Sequence, residues 1–222
     1  MDVGEMNAWQ LMAQGGPLMG PILLCSMTGL ALFVQKLFYF SSVSTNVPEI
    51  KTRVFELITQ NKLKDAMILC EQNSSPAAKI MKAGLVKYGA SRDEIKEAME
   101  DVSLFEIPKL EKHLPVLSTI AHIAPLLGLL GTMVGMTASF HAIQLRSASM
   151  NPVTSSDVAG GIWQALLTTI FGLFVAIPAL LAFNYCVSRV NSFVIEMERA
   201  ATEIVNLLSH LSASNTQSGA EN

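Results

Sequence analysis

The chain has 222 residues, 50% hydrophobic and 15% charged, with a mean hydropathy of +0.41 and a formal net charge of −3. That balance excludes an ordinary water-soluble domain, in which about a quarter of residues are charged. It also excludes a nucleic-acid surface, because the basic residues alternate with Asp and Glu wherever they are dense.

In chain order, residues 1–15 read as a short amphipathic segment lying on the outer, periplasmic face of the membrane that the chain spans, with Met6, Trp9, Leu11 and Met12 as its apolar side. Residues 16–40 form the first apolar run, interrupted only by Gln35 and Lys36 near its end. It exceeds the ~20 residues that a helix needs to cross a bilayer. No Lys or Arg precedes it and "SSVSTN" follows without a small-x-small site, so it reads as a span rather than a signal peptide.

Residues 41–113 read as a domain of short helices, with loop signals at Asn61, at Asn73 to Pro76 and at Gly89. Ser91 and Glu94 form a capping-box pattern that starts a further helix. From there Ile95, Met99, Val102, Phe105 or Ile107, Leu110, Leu114 and Leu117 keep helical spacing, which predicts a helix running unbroken into the second span with kinks at Pro108 and Pro115. That span occupies residues 114–145, a loop 146–157, and the third span 158–185; neither span contains a carboxylate or a Lys.

Residues 186–211 continue the third helix, with Val187, Val190, Val194, Met197, Ala201, Ile204, Leu208 and Leu211 as a packed seam. Residues 212–222 lack apolar periodicity and read as a disordered tail. The fold class is therefore an all-α membrane protein: three transmembrane helices, a large helical cytoplasmic domain and long helices extending into the cytoplasm. Of the 15 Lys and Arg, none precedes the first span and eleven lie between Ser41 and Leu114. The positive-inside rule therefore makes the N-terminus periplasmic and the middle domain and C-terminus cytoplasmic.

Composition assigns no chemistry of the usual enzymatic kinds. Cys25, Cys70 and Cys186 lack metal-ligand spacing, "GASRDE" lacks the Gly-Lys-Ser/Thr of a phosphate loop, and no Ser/His/Asp set is brought together. The expectation is a protein that is not an enzyme and holds no metal or cofactor. The informative residues are small ones. Gly128, Thr132, Gly135 and Ser139 share one face of the second span, with Gly131 beside them; Gly161, Ala165, Thr169, Gly172 and Ala176 share one face of the third. Helices in lipid associate through such close approaches, and "GTMVG" is a G-x-x-x-G match.

Thr132 and Thr169, on the stripes of adjacent spans, suggest a narrow lumen lined by hydroxyls that both donate and accept hydrogen bonds. Gln164 is the notable polar side chain of the third span and cannot titrate. A satisfied or interfacial imidazole accounts for His113, His122 and His141, with His122 kept as the candidate ionisable contributor near the start of the second span.

The segments "IAPLLGLLGTMVGMTASF" and "GGIWQALLTTIFGLFVAIPALLAFNY" closely resemble the MotA/TolQ/ExbB proton-channel family, nearer to its ExbB and TolQ branch. The resemblance implies a homopentamer in the bacterial inner membrane, in contact with membrane lipids, whose second and third spans line a central pore. The pore would hold the single span of an ExbD- or TolR-like partner whose membrane Asp carries the proton, with a TonB- or TolA-like transducer receiving the work. In this comparison Thr132 and Thr169 match the pore threonines. Gln164 departs from the family, standing where G-I-x-E-A-L places a Glu. The alternative reading is a non-conducting structural scaffold that holds a single-span partner.

Overall fold

The structure is a computed structural model that describes residues 12, 14–44, 47–73, 75–148, 152 and 154–220. The amphipathic N-terminal segment, apart from Met12 and Gln14, and the centre of the loop at 146–157 lie outside these residues. The described elements are helices: α1 (Met19–Ser44), α2 (Val47–Thr59), α3 (Leu63–Gln72), α4 (Pro76–Val86), α5 (Arg92–Glu111), α6 (Leu114–Ala148) and α7 (Ser155–Ala220). Contacts divide the chain into two compact units, one built from Met1–Gln35 and His113–Tyr185, the other from Lys36–Lys112 and Cys186–Asn222.

The first unit contains the membrane-spanning parts of α1, α6 and α7, all long and apolar enough to cross a bilayer. Its outer surface is oily. Leu24, Met27, Leu126, Phe140, Phe174 and Leu181 are each more than half exposed. Such a surface is unsustainable in water and matches hydrocarbon. Its interior is small-residued, with Ile120, Ala121 and Ala179 packed on Cys25, and Phe33 meeting Tyr185 edge to face at 6.5 Å.

The second unit is a bundle whose turns are fixed locally. Asn61 takes φ 59 after α2, and Gly89 takes φ 88 after α4, a left-handed conformation that glycine adopts without a Cβ clash. Asn73 Oδ1 accepts from the Ser75 amide at 2.8 Å, and Ser75 Oγ accepts from the Ala78 amide at the start of α4. Ser91 and Glu94 form the anticipated capping box. The core gathers Val54, Ile58, Ala66, Cys70, Ile80, Met81, Leu85, Ile95 and Met99, together with Met197, Ile204 and Leu208 of α7. Burial pushes the Cys70 thiol up to about 11, a weak nucleophile in an apolar site.

Three expectations are corrected here. The helix expected to run unbroken into the second span is interrupted: α5 ends at Glu111, Lys112 is extended and His113 takes φ 69 before α6 begins. Pro115 disfavours helical geometry in the residue before it and supplies no amide to the preceding turn, so a new helix starts there. Lys36 answers the broken end, donating from Nζ to the Leu110 carbonyl at 2.7 Å. The seam on α7 buries Val190, Met197, Ile204 and Leu208 as expected but adds Cys186, Phe193 and Ala200, while Val187, Val194 and Ala201 are only half-buried. Finally, α7 continues to Ala220 where a tail was expected; no Pro or Gly interrupts it between Pro178 and Gly219.

Candidate functional site

The crossing of α6 and α7 explains the glycines directly, because a Cβ does not fit at the contact. A methyl on Gly128 would lie 3.0 Å from Thr169 Cα, one on Gly135 2.7 Å from the Gly161 carbonyl, and one on Gly172 2.7 Å from the Ala124 carbonyl. At Gly131 it would collide with the Thr168 side chain, and at Gly161 with the Ser139 hydroxyl. The two stripes therefore face each other within one chain, backbone against backbone.

Polar groups stitch this crossing. Thr169 Oγ1 donates to the Gly128 carbonyl at 3.0 Å, joining the two helices. Ser139 Oγ shares its proton between the carbonyls of Gly135 at 3.1 Å and Val158 at 3.3 Å. Thr132 is half-buried at the edge of the contact and donates within its own helix to Leu129 at 2.6 Å. Thr132 and Thr169 are thus not hydrogen-bonded to one another. Each keeps oxygen lone pairs, so each remains an acceptor.

Gln164 is half-buried and lies against Gly16, whose φ of 74 and contact with the Gln164 amide leave no room for a side chain. Next to it Trp163 Nε1 donates to Gln14 Oε1 at 2.8 Å. The N-terminal end of the third span is thereby tied to the segment that leads into α1. Of the histidines, His113 is the left-handed residue between α5 and α6, His122 is exposed with Nδ1 on the Ser118 carbonyl at 2.7 Å, and His141 lines a shallow groove with Met133 and Thr137.

Sequence reasoning missed Thr168, which is 1% exposed and fills the notch over Gly131. The signal was present, since 161, 165, 168, 172 and 176 are spaced as regularly as the stripe through Thr169. Chemically, the crossing offers hydroxyls, an amide and carbonyls in an apolar setting, and among the described residues no three His, Cys, Asp or Glu side chains gather as metal ligands would. It can pass or accept hydrogen bonds but holds no acid of its own.

Comparison with known proteins agrees with this layout. The MotA/TolQ/ExbB proton channel family matches residues 72–199, more than half of the chain and the region that contains both stripes. A biopolymer transport protein described as ExbB-like, from Synechocystis sp., is 33% identical over 171 residues, covering 77% of this chain and 80% of that protein. An ExbB homologue from Methanothermobacter thermautotrophicus is 29% identical over 190 residues, 85% of this chain and 66% of its own length. The Tol-Pal system protein TolQ of Haemophilus influenzae is 41% identical over 87 residues, 39% of this chain and 36% of that protein. This multi-pass membrane protein therefore belongs to the MotA/TolQ/ExbB proton channel family, on its ExbB/TolQ-like branch.

Proposed function

We propose that the chain is the ring subunit of an inner-membrane, proton-driven stator. Five copies surround the single span of an ExbD- or TolR-like partner, and proton flow past that partner's membrane carboxyl is coupled to mechanical work at the cell envelope through a TonB- or TolA-like transducer. The observation that carries this reading is the pairing of acceptor hydroxyls with the lack of any Asp or Glu from Val158 to Tyr185 and from Leu114 to Leu145. A conducting ring built this way takes its acid from a partner.

Thr132 and Thr169 already donate to backbone carbonyls, so what they present is lone pairs. Lone pairs favour the protonated, hydrogen-donating form of a carboxylic acid; stabilising the carboxylate requires the hydroxyls to rotate and donate instead. Gln164 can serve either form without changing charge. The charge asymmetry supports an orientation with the second unit in the cytoplasm.

The test is co-purification of the full chain with a single-span, Asp-bearing partner, followed by native mass measurement and proton uptake in vesicles. A five-to-partner complex that takes up protons under an imposed potential is the expected result. A complex that assembles but takes up none indicates the scaffold.

A further inference from the structure

The side of α6 turned away from α7 carries a second set of polar residues. Thr119, His122, Thr137 and His141 recur at helical spacing, interleaved with Leu126, Leu130 and Met133, and all are exposed. The buried positions Leu117, Ala121, Ala124, Gly128, Gly131 and Gly135 occupy the other side of the same helix. Thr119 and Thr137 donate to the Pro115 and Met133 carbonyls, both at 2.8 Å, leaving oxygen lone pairs. Thr137 and His141 line a shallow groove with Met133, Val134 and Ala138.

His122 lies deep. Cys25 packs on Ile120 and Ala121, and a methyl on Gly29 would sit 3.6 Å from Ile120 Cγ2, so this turn of α6 lies beside Cys25 and Gly29 of α1. These stand seven to eleven residues before Lys36, the first charge in the helix. At 1.5 Å per residue that is about 10–16 Å, and half the hydrocarbon thickness is about 15 Å. An exposed imidazole at that depth is costly against lipid and is found where it meets water or a polar partner.

The geometry also fixes the tautomer. Nδ1 lies 2.7 Å from the Ser118 carbonyl, which can only accept, so Nδ1 carries hydrogen and Nε2 presents its lone pair outward. We propose that His122 Nε2 is a proton-binding site of the assembled ring, on the exposed face of α6 that also carries Thr119, Thr137 and His141. The proposal rests on the reading of the chain as a proton-conducting ring subunit. It gives this chain a titratable group of its own in the membrane, which Gln164 is not.

The step is a single transfer. A hydronium proton moves to the Nε2 lone pair, water is left, and the imidazolium returns the proton to a water molecule, which becomes hydronium. On the buried side of the same turn, α1 holds Cys25 against Ile120 and Ala121. On α6 the other titratable or charged groups are His113, His141 and Arg146. Among the described residues Ser118 is the only hydrogen-bond partner of His122.

The direct test uses the full wild-type chain, labelled with 15N-histidine and reconstituted alone in lipid vesicles, with the His122 resonances identified by their loss in His122→Gln. Between about pH 8 and pH 4 the Nε2 signal converts from the unprotonated to the protonated type, while Nδ1 stays protonated throughout. An Nε2 that stays unprotonated across that range overturns the proposal, and it does so whether or not the ring conducts. With an Asp-bearing partner present, His122→Gln lowers proton uptake by at least about tenfold and flattens its pH profile, and added imidazole restores part of the rate to His122→Ala. Uptake by His122→Gln at the wild-type rate and with the wild-type pH profile removes His122 from the proton path while leaving the stator reading intact. A titrating His122 in a wild-type complex that takes up no protons upholds the site and sinks the stator reading.

Discussion

The hydroxyl of Thr169 and the missing side chain of Gly172 act at the same crossing with very different energetic weight. Hydrogen bonds between membrane helices contribute about 0.6 kcal/mol on average, so Thr169→Val, which loses only the bond to Gly128, lowers the unfolding free energy by that order. Gly172→Val drives side-chain carbons into the Ala124 carbonyl and the Gly128 backbone, and overpacking of this kind costs about 1–3 kcal/mol. Unfolding of the two variants in detergent should rank them in that order, and an equal loss would mean that the crossing is looser than described. Glu106 gives a separate expectation for pH. Burial works against its charge, but hydrogen bonds from Lys109 at 2.5 Å and Lys79 at 3.0 Å outweigh it and hold the carboxyl below its ordinary value. A lowered folded pKa means that this stabilisation is fully present above about pH 4.5, the unfolded value, and is lost as pH falls through the lower folded one. The melting temperature should therefore fall in acid, and Glu106→Gln should reduce that dependence; an unchanged acid limb would show that the cluster contributes nothing.

Helix α7 and the break before α6 show where pattern is a sufficient guide and where it is not. Ile204 and Leu208 have no exposed surface, so an Asp at either places an unpaired charge among apolar side chains at a cost of several kcal/mol. Both variants should melt earlier and assemble poorly, whereas wild-type oligomer size and stability would show the seam to be dispensable. At the break, His113→Gly relieves a left-handed conformation that costs a Cβ-bearing residue about 1–2 kcal/mol, while His113→Val, branched at Cβ, deepens the strain; thermal unfolding should separate the two. The turns at Asn61 and Gly89 and the capping box at Ser91 were readable because their chemistry is local. The break was not, because Pro115 only weakens a helix and His113 is no marker of positive φ. The choice between Thr168 and Thr169 was equally closed to pattern: both fit the stripe, and only the position of Gly131 across the contact decides which is buried. Similarly, the seam widened to include Phe193 and Ala200 because a helix inside a bundle buries more than one narrow line.

Three apolar spans with an oily exterior, and a bundle carrying fourteen of the 15 basic residues, make orientation and conduction questions about the assembled protein. In a background without native cysteines, single cysteines at Lys62 or Lys87 should be protected from impermeant reagents in intact cells, and those at Ser149 or Ser155 should react; the reverse would remove the orientation argument. Conduction is tested most directly by proton uptake into vesicles that hold the ring and a single-span, Asp-bearing partner under an imposed pH gradient and potential. The account predicts that wild type takes up protons and that Thr132→Val and Thr169→Val each slow uptake without dissolving the complex, since a hydrogen bond to a charged group is worth about 1.5–3 kcal/mol. Normal uptake by both valine variants, with uptake abolished by Gln164→Ala, would contradict it and place the conducting chemistry away from the threonines.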